Sequence, residues 1–200
     1  LRQAEENGTH VEGLLTSCGT CRAALENYDL ENKVDSQLVM QDIFQFLSPY
    51  LKDKIIPTSS EDEKIVLHSS CHHALSHVNP EQSDSLYASM LEDTLNEDVA
   101  ISSYCCAESG LGALTNPKVY NSLRRRKKDS ITNIVNESEK NPRFLVSCPS
   151  CKIGISRSVN ALKLNSETMH TMEYLVHRTK GKDFKDIIKK EIINCRKALN

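Results

Sequence analysis

Five cysteines carry the clearest chemistry in this chain: Cys71, then 33 residues, the adjacent pair Cys105-Cys106, then 41 residues, then Cys148-Pro149-Ser150-Cys151. Thiolates are soft ligands, and zinc and iron–sulfur clusters both take them. A C-x-x-C loop sets two sulfurs on one tight turn, where backbone N–H groups can also support bound sulfide. Spacing alone does not choose between the two. Count bears on the choice, because a structural zinc site is complete with four thiolates and this set offers five. Adjacent cysteines do not readily chelate one small ion together, whereas they can reach different irons of a cluster. Inert buried thiols and a structural zinc site are the plainer readings of the same residues.

A second C-x-x-C, Cys18-Gly19-Thr20-Cys21, lies in the segment LLTSCGTCRAAL from Leu14 to Leu25. It matches FLVSCPSCKIGI, Phe144 to Ile155, with Leu, Ser and both cysteines coinciding at an offset of 130 residues. Each copy reads as a strand running into C-x-x-C and then a helix start, which is the mark of an internal duplication. The expected organisation is a tail of a preceding, truncated cysteine-rich repeat over 1–60 and a complete cysteine-rich domain over 61–200. Cys18 and Cys21 are further metal candidates, alongside readings as vestigial thiols or an air-formed disulfide. The start at Leu1 leads to the expectation that more sequence precedes it.

His68, His72, His73 and His77 surround Cys71 in sequence. Histidine binds metals and passes protons near neutral pH, and His72 and His73, next to the ligand candidate, carry most interest. Each is more simply a polar residue on a helix face or a satisfied core histidine. Glu108, directly after Cys105-Cys106-Ala107, reads as structural or as a partner of the cysteine loop. Cys195, alone in the pattern IINCRKAL, reads as a small core residue. The run Arg124-Arg125-Arg126-Lys127-Lys128 spreads around a helix and reads as a solvated face, or as a docking surface for an acidic partner. No aromatic residues interleave it for base stacking.

The elements that must position these residues follow from hydrophobic periodicity. Short apolar runs at Gly13 to Thr16, Lys64 to His68, Val99 to Ser102 and Phe144 to Ser147 read as strands, each followed by a helical segment. Ser36 to Leu51, Asp84 to Leu95, Pro117 to Val135 and Asp183 to Leu199 read as helices, the first with Pro49 near its end and the third capped by Asn116. The result is an α/β fold: small parallel-sheet cysteine-rich lobes with covering helices, pseudo-duplicated. Each cysteine of the main set falls at or just after a strand end, and in an open parallel sheet those ends face one crevice.

Composition limits the alternatives. A formal charge of −2 and a pI near 6.4 provide no field to attract nucleic acid or an anionic membrane. No apolar run approaches the roughly 20 residues of a membrane span, and no secretory leader is evident. The chain reads as cytoplasmic, peripheral to a membrane only through partners. Eight cysteines in a chain with 38% hydrophobic residues favour ligation over a disulfide framework, since such frameworks serve domains too small for a core. There is no Walker-type loop, G-x-G-x-x-G or G-x-S-x-G.

The arrangement C-x33-C-C-x41-C-x-x-C, with its local sequences HSSCHHA, CCAESG and SCPSC, resembles the CCG cysteine-rich domain family. That family includes the cysteine-rich subunit of heterodisulfide reductase, the iron–sulfur subunit of glycolate oxidase, and subunits of lactate-utilisation and glycerol-3-phosphate dehydrogenase systems. The resemblance spans about Glu63 to Arg157, and SCGTC resembles the closing pair of a preceding copy. Among such proteins it is most similar to the C-terminal region of FAD-binding oxidase/iron–sulfur fusions related to D-lactate dehydrogenases. It implies a [4Fe-4S] cluster, noncubane in the heterodisulfide reductase branch, held by Cys71, Cys105, Cys106, Cys148 and Cys151, with zinc as the alternative metal. It further implies a redox module that passes electrons from an upstream flavin-dependent 2-hydroxy acid oxidase, with FAD on a domain outside this chain and an unidentified electron acceptor. Alternatives are a cluster-based disulfide reductase and a zinc-stabilised interaction module. One departure is Ala107, where the family usually has glycine; a positive φ would be costlier there. Gly110 and Gly112 are nearby candidates for close backbone approach.

Overall fold

The apolar runs fold as strands, and every pairing among them is parallel. β1 (Gly13–Thr16) pairs with β2 (Val39–Asp42). β3 (Glu63–His68), β4 (Val99–Ser102), β5 (Asn141–Val146) and β6 (Thr168–His170) form a second sheet in the order β4-β3-β5-β6. Between and after them run α1 (Gly19–Asn27), α2 (Ile43–Leu51), α3 (Pro80–Leu95), α4 (Pro117–Asn136), α5 (Pro149–Ala161), α6 (Thr171–Lys180) and α7 (Phe184–Ala198). This computed structural model describes residues 6–8, 11–27, 39–56, 63–75, 78–108, 114–138, 140–181 and 183–198. His77, Gly110 and Gly112 lie outside the described residues.

Strand alternation divides the core of the larger sheet between its two faces. Ile65, Leu67 and Leu145 bury against Tyr87 and Leu91 of α3 and Tyr174 and Leu175 of α6. Val66, Phe144 and Val146 bury on the other face against Ile131 of α4 and Ile155 and Val159 of α5. Each such side chain contributes roughly 1.5–3 kcal/mol when fully buried. The chain leaves β3 toward β4 but leaves β5 toward β6. Crossovers of one hand must then place the following helices α3 and α5 on opposite faces. The loops part between β3 and β5 and open a crevice at their C-terminal ends, the usual place for a ligand in such sheets.

Local chemistry sets the helix starts. Asn116 accepts a hydrogen bond from Val119 N ahead of Pro117, as expected, and Asn79 does the same for Glu81 N ahead of Pro80. The helix expected over 36–51 begins only at Ile43; residues 36–38 are outside the described residues, and Val39–Asp42 is a strand. Asp42 accepts from Phe44 N and Gln45 N and so caps α2. The apolar spacing ran on through both elements, which hid the boundary. Pro49 sits inside α2, and the Gln45 carbonyl that its nitrogen cannot reach takes the Ser48 hydroxyl instead.

A second expectation fails at the C-terminal end. Cys195 is exposed and not a core residue. Phe184 anchors the start of α7, while Ile187, Ile188, Ile192 and Ile193 further along remain exposed. No helix among the described residues is long and apolar enough to cross a membrane.

Candidate metal centre

The loops leaving β3, β4 and β5 bring their cysteines to one edge of the sheet. Cys71 Sγ lies 3.5 Å from Cys105 Sγ, and Cys106 Sγ lies 3.4 Å from Cys151 Sγ. Cys106, Cys148 and Cys151 are buried, Cys105 is half-buried and Cys71 is exposed. The group therefore has a closed floor and an open rim. All eight cysteines are free thiols.

Small groups hold the loops in place. Ser70 and Ser147, each just before a cysteine, share a hydrogen bond of 3.2 Å, and Ser70 Oγ lies 3.8 Å from Cys151 Sγ. Ala107 adopts φ 57°, and its N–H donates to Cys105 Sγ at 3.3 Å. A positive φ is costlier for a residue with a Cβ than for the glycine usual in the resembling family, by roughly 1–2 kcal/mol. Gly154 of α5 was not anticipated. A Cβ there would meet Cys106 O at 2.6 Å, so a bare backbone lets the Cys105-Cys106 loop press against the helix.

These loops and strands fall within one recognisable segment. Residues 65–156 match the CCG cysteine-rich domain family. No curated protein and no solved structure matches the chain. The matched CCG segment runs from β3 into α5 and contains Cys71, Cys105, Cys106, Cys148 and Cys151.

Within the matched segment the thiols polarise one another. Contact with Cys151 holds the Cys106 and Cys148 thiols well below the ordinary thiol range, while its contacts with both of them push the Cys151 thiol up. Burial chiefly, and then Cys105, push the Cys71 thiol up. His68, at the end of β3, places a ring nitrogen and the sulfurs of Cys106 and Cys151 within 4.8 Å of one another, a buried group of three able to hold a metal ion.

Lys127 was missed by sequence reasoning. It sits in the middle of the basic run read as a solvated face, and it is fully buried while Arg125 and Arg126 are exposed. Its Nζ reaches Ser103 O at 2.7 Å, Ser102 Oγ at 2.8 Å, His68 Nδ1 at 2.9 Å and Ser102 O at 3.2 Å. Burial lowers its pKa to about 8, against the pull of Cys106, Cys151, Cys105 and Cys71, which favour the charged form. The signal available in sequence was the helical period: Lys127 precedes Ile131 and Ile134 by four and seven residues, so it shares their inward face.

Emphasis among the histidines also shifts. His72 is exposed, and His73 turns toward Asp84 at 3.7 Å, so His68 alone of the three described histidines around Cys71 joins the thiol group. The backbone of His72 and His73 has a different part. Gly19 packs on it so closely that a Cβ would lie 2.0 Å from His72 O, and Arg22 Nε donates to His73 O at 2.8 Å. His170 Nε2 donates to Ser17 O at 2.9 Å, and Thr20 Oγ1 lies 3.9 Å from Cys148 Sγ. The first C-x-x-C thereby docks on the second. Cys18 is buried among Cys106, Cys148 and Cys151, and Cys21 is exposed. Glu108 pairs with Arg157, whose Nη1 donates to both carboxylate oxygens at 2.7 and 2.6 Å.

Proposed function

We propose that this chain is an iron–sulfur redox module in which Cys71, Cys105, Cys106, Cys148 and Cys151 hold a [4Fe-4S] cluster. In this reading it takes electrons from a flavin-dependent oxidase of 2-hydroxy acids, of lactate or glycolate type, on a neighbouring domain or subunit. The supporting observation is the convergence of more soft donors than one tetrahedral ion needs, together with a buried cation that offsets their charge. A bound cluster would supply one-electron steps between flavin and acceptor. The residues of the chain supply its surroundings: the buried floor of Cys106, Cys148 and Cys151 excludes water, and Ala107 N–H and Ser70 donate toward sulfur. Cys71 and Cys105 lie at the open rim, the short path for an electron.

The repeat supports a further part of this reading, that 1–60 is the tail of a preceding cysteine-rich repeat. Thr16, ahead of Cys18, pairs with Asp42, the cap of α2; Val146, ahead of Cys148, pairs with His170, the cap of α6. Anaerobically reconstituted protein mixed with photoreduced FMN tests the electron-transfer role. Rapid bleaching of the visible cluster absorption is expected, and unchanged absorption with FMN still reduced would count against it.

One observation favours a second reading, catalysis at the cluster on a disulfide. A cavity of ≈ 340 Å³, within reach of a small ligand's size, opens beside Cys106 and is lined also by Glu108, Arg124, Lys128 and Arg157. Two electrons and two protons would convert a bound disulfide to two thiols. Steady thiol production from a small disulfide and reduced viologen would favour this reading over simple transfer.

A further inference from the structure

Lys127 and His68 form a chain of polar contacts from the basic helix to the thiols. His68 is 1% exposed and Lys127 0%. The ammonium faces two backbone carbonyls, Ser102 O and Ser103 O, which only accept, and it meets His68 Nδ1 at 2.9 Å. An ammonium has no lone pair, so a nitrogen this close must present its own. That places the imidazole proton on Nε2. His68 Nε2 is buried with no hydrogen-bond partner, while a ring nitrogen of His68 and the sulfurs of Cys106 and Cys151 lie within 4.8 Å of one another. A nitrogen that carries a proton is a donor to sulfur and has no lone pair for a metal.

We propose that Lys127 is a positioning residue that fixes the tautomer of His68, so that His68 serves the centre as an Nε2–H donor toward Cys106 sulfur and not as a metal ligand. This deepens the reading of Cys106 as a cluster ligand and rests on it for the last step only. The sequence near Cys71 places His68 in a ligand-like setting, and the group it forms with Cys106 and Cys151 fits a metal. Its partner on α4 decides otherwise. Hydrogen bonds to thiolate sulfur raise the reduction potential of a cluster by easing the added negative charge, so the pair acts on potential while the cysteines alone bind.

Two measurements test this, and the first needs no cluster. Long-range proton–nitrogen correlation spectra of reduced, metal-free protein labelled at histidine nitrogen are expected to show His68 protonated at Nε2 only. Lys127→Met should shift His68 toward the Nδ1–H form, and Lys127→Gln, whose amide can still donate, should restore the original pattern. A wild-type Nδ1–H form, or no change in Lys127→Met, would overturn the proposal whatever metal the protein binds. The second uses reconstituted protein. His68→Gln should keep the full iron content with a lowered reduction potential, and nitrogen hyperfine coupling in the wild type should be weak. Iron lost in His68→Gln, together with strong coupling from a directly bound nitrogen, would overturn it and make His68 a ligand.

Discussion

The two C-x-x-C motifs share a strand, a helix start and a parallel partner strand, yet they differ in company. Cys148 and Cys151 end a strand inside a four-stranded sheet and meet Cys106 from the neighbouring loop. Cys18 and Cys21 end a strand with one described partner, β2, and only Cys18 is buried. Similar local motifs therefore supply two buried cysteines to the thiol group from the second and one buried cysteine plus a docking contact from the first. Local motif fixes the turn, and the neighbouring strands fix the chemistry.

The largest expected effect separates the copies as ligand donors. Cys148→Ser should lower metal affinity by more than the roughly 10–100-fold that loss of an outer partner costs, whereas Cys18→Ser should leave it unchanged, as read by competition with a chelator. Equal losses in both would erase the distinction. Next comes the contact between the copies. Gly19→Val, whose Cβ would meet His72 O at 2.0 Å, should destabilise the fold by about 3 kcal/mol or more in urea unfolding. Pro149→Ala, the exposed counterpart, should cost less than about 1 kcal/mol.

The helix caps sharpen the comparison through pH. Burial raises the Asp42 pKa from 3.8 to about 6. Its folded value lies above its unfolded value, so its contribution is fully present below about pH 4 and lost as pH rises through 6. Two units correspond to about 3 kcal/mol. Asp42→Asn keeps a capping side chain and should raise the melting temperature at pH 8 but not at pH 4. His170, the corresponding cap, is lowered chiefly by burial, so its contribution runs the opposite way and is lost as pH falls below 6.5. A melting profile of Asp42→Asn parallel to wild type across this range would sink the assignment. The smallest effects belong to Cys21→Ser and Cys195→Ser, both exposed, which should change stability by no more than about 0.5 kcal/mol.

The strand ends carrying cysteine were legible in sequence because short apolar runs stop at polar turns. So was the α/β class. β2 and β6 were not, since Val39–Asp42 merged with the helix after it and Thr168–His170 is only three residues long. Lys127 was obscured by its neighbours: a run of five basic residues looks solvated until the helix phase puts one of them inward. Gly154 and Gly19 carried no local signal at all, because what demands a bare backbone at each is a segment 48 and 53 residues away, at Cys106 and His72. The weight given to His72 and His73 over His68 rested on adjacency to Cys71, and strand direction, not adjacency, decides which side chain enters the site.

The most direct measurement is iron and acid-labile sulfide per chain after anaerobic reconstitution, with visible and paramagnetic resonance spectra, in wild type, Cys105→Ser and Cys18→Ser. About four irons and four sulfides per chain, lost in Cys105→Ser and kept in Cys18→Ser, are the expected result. Stoichiometric zinc without sulfide, unchanged by anaerobic handling, would contradict the redox assignment and leave a zinc-stabilised module.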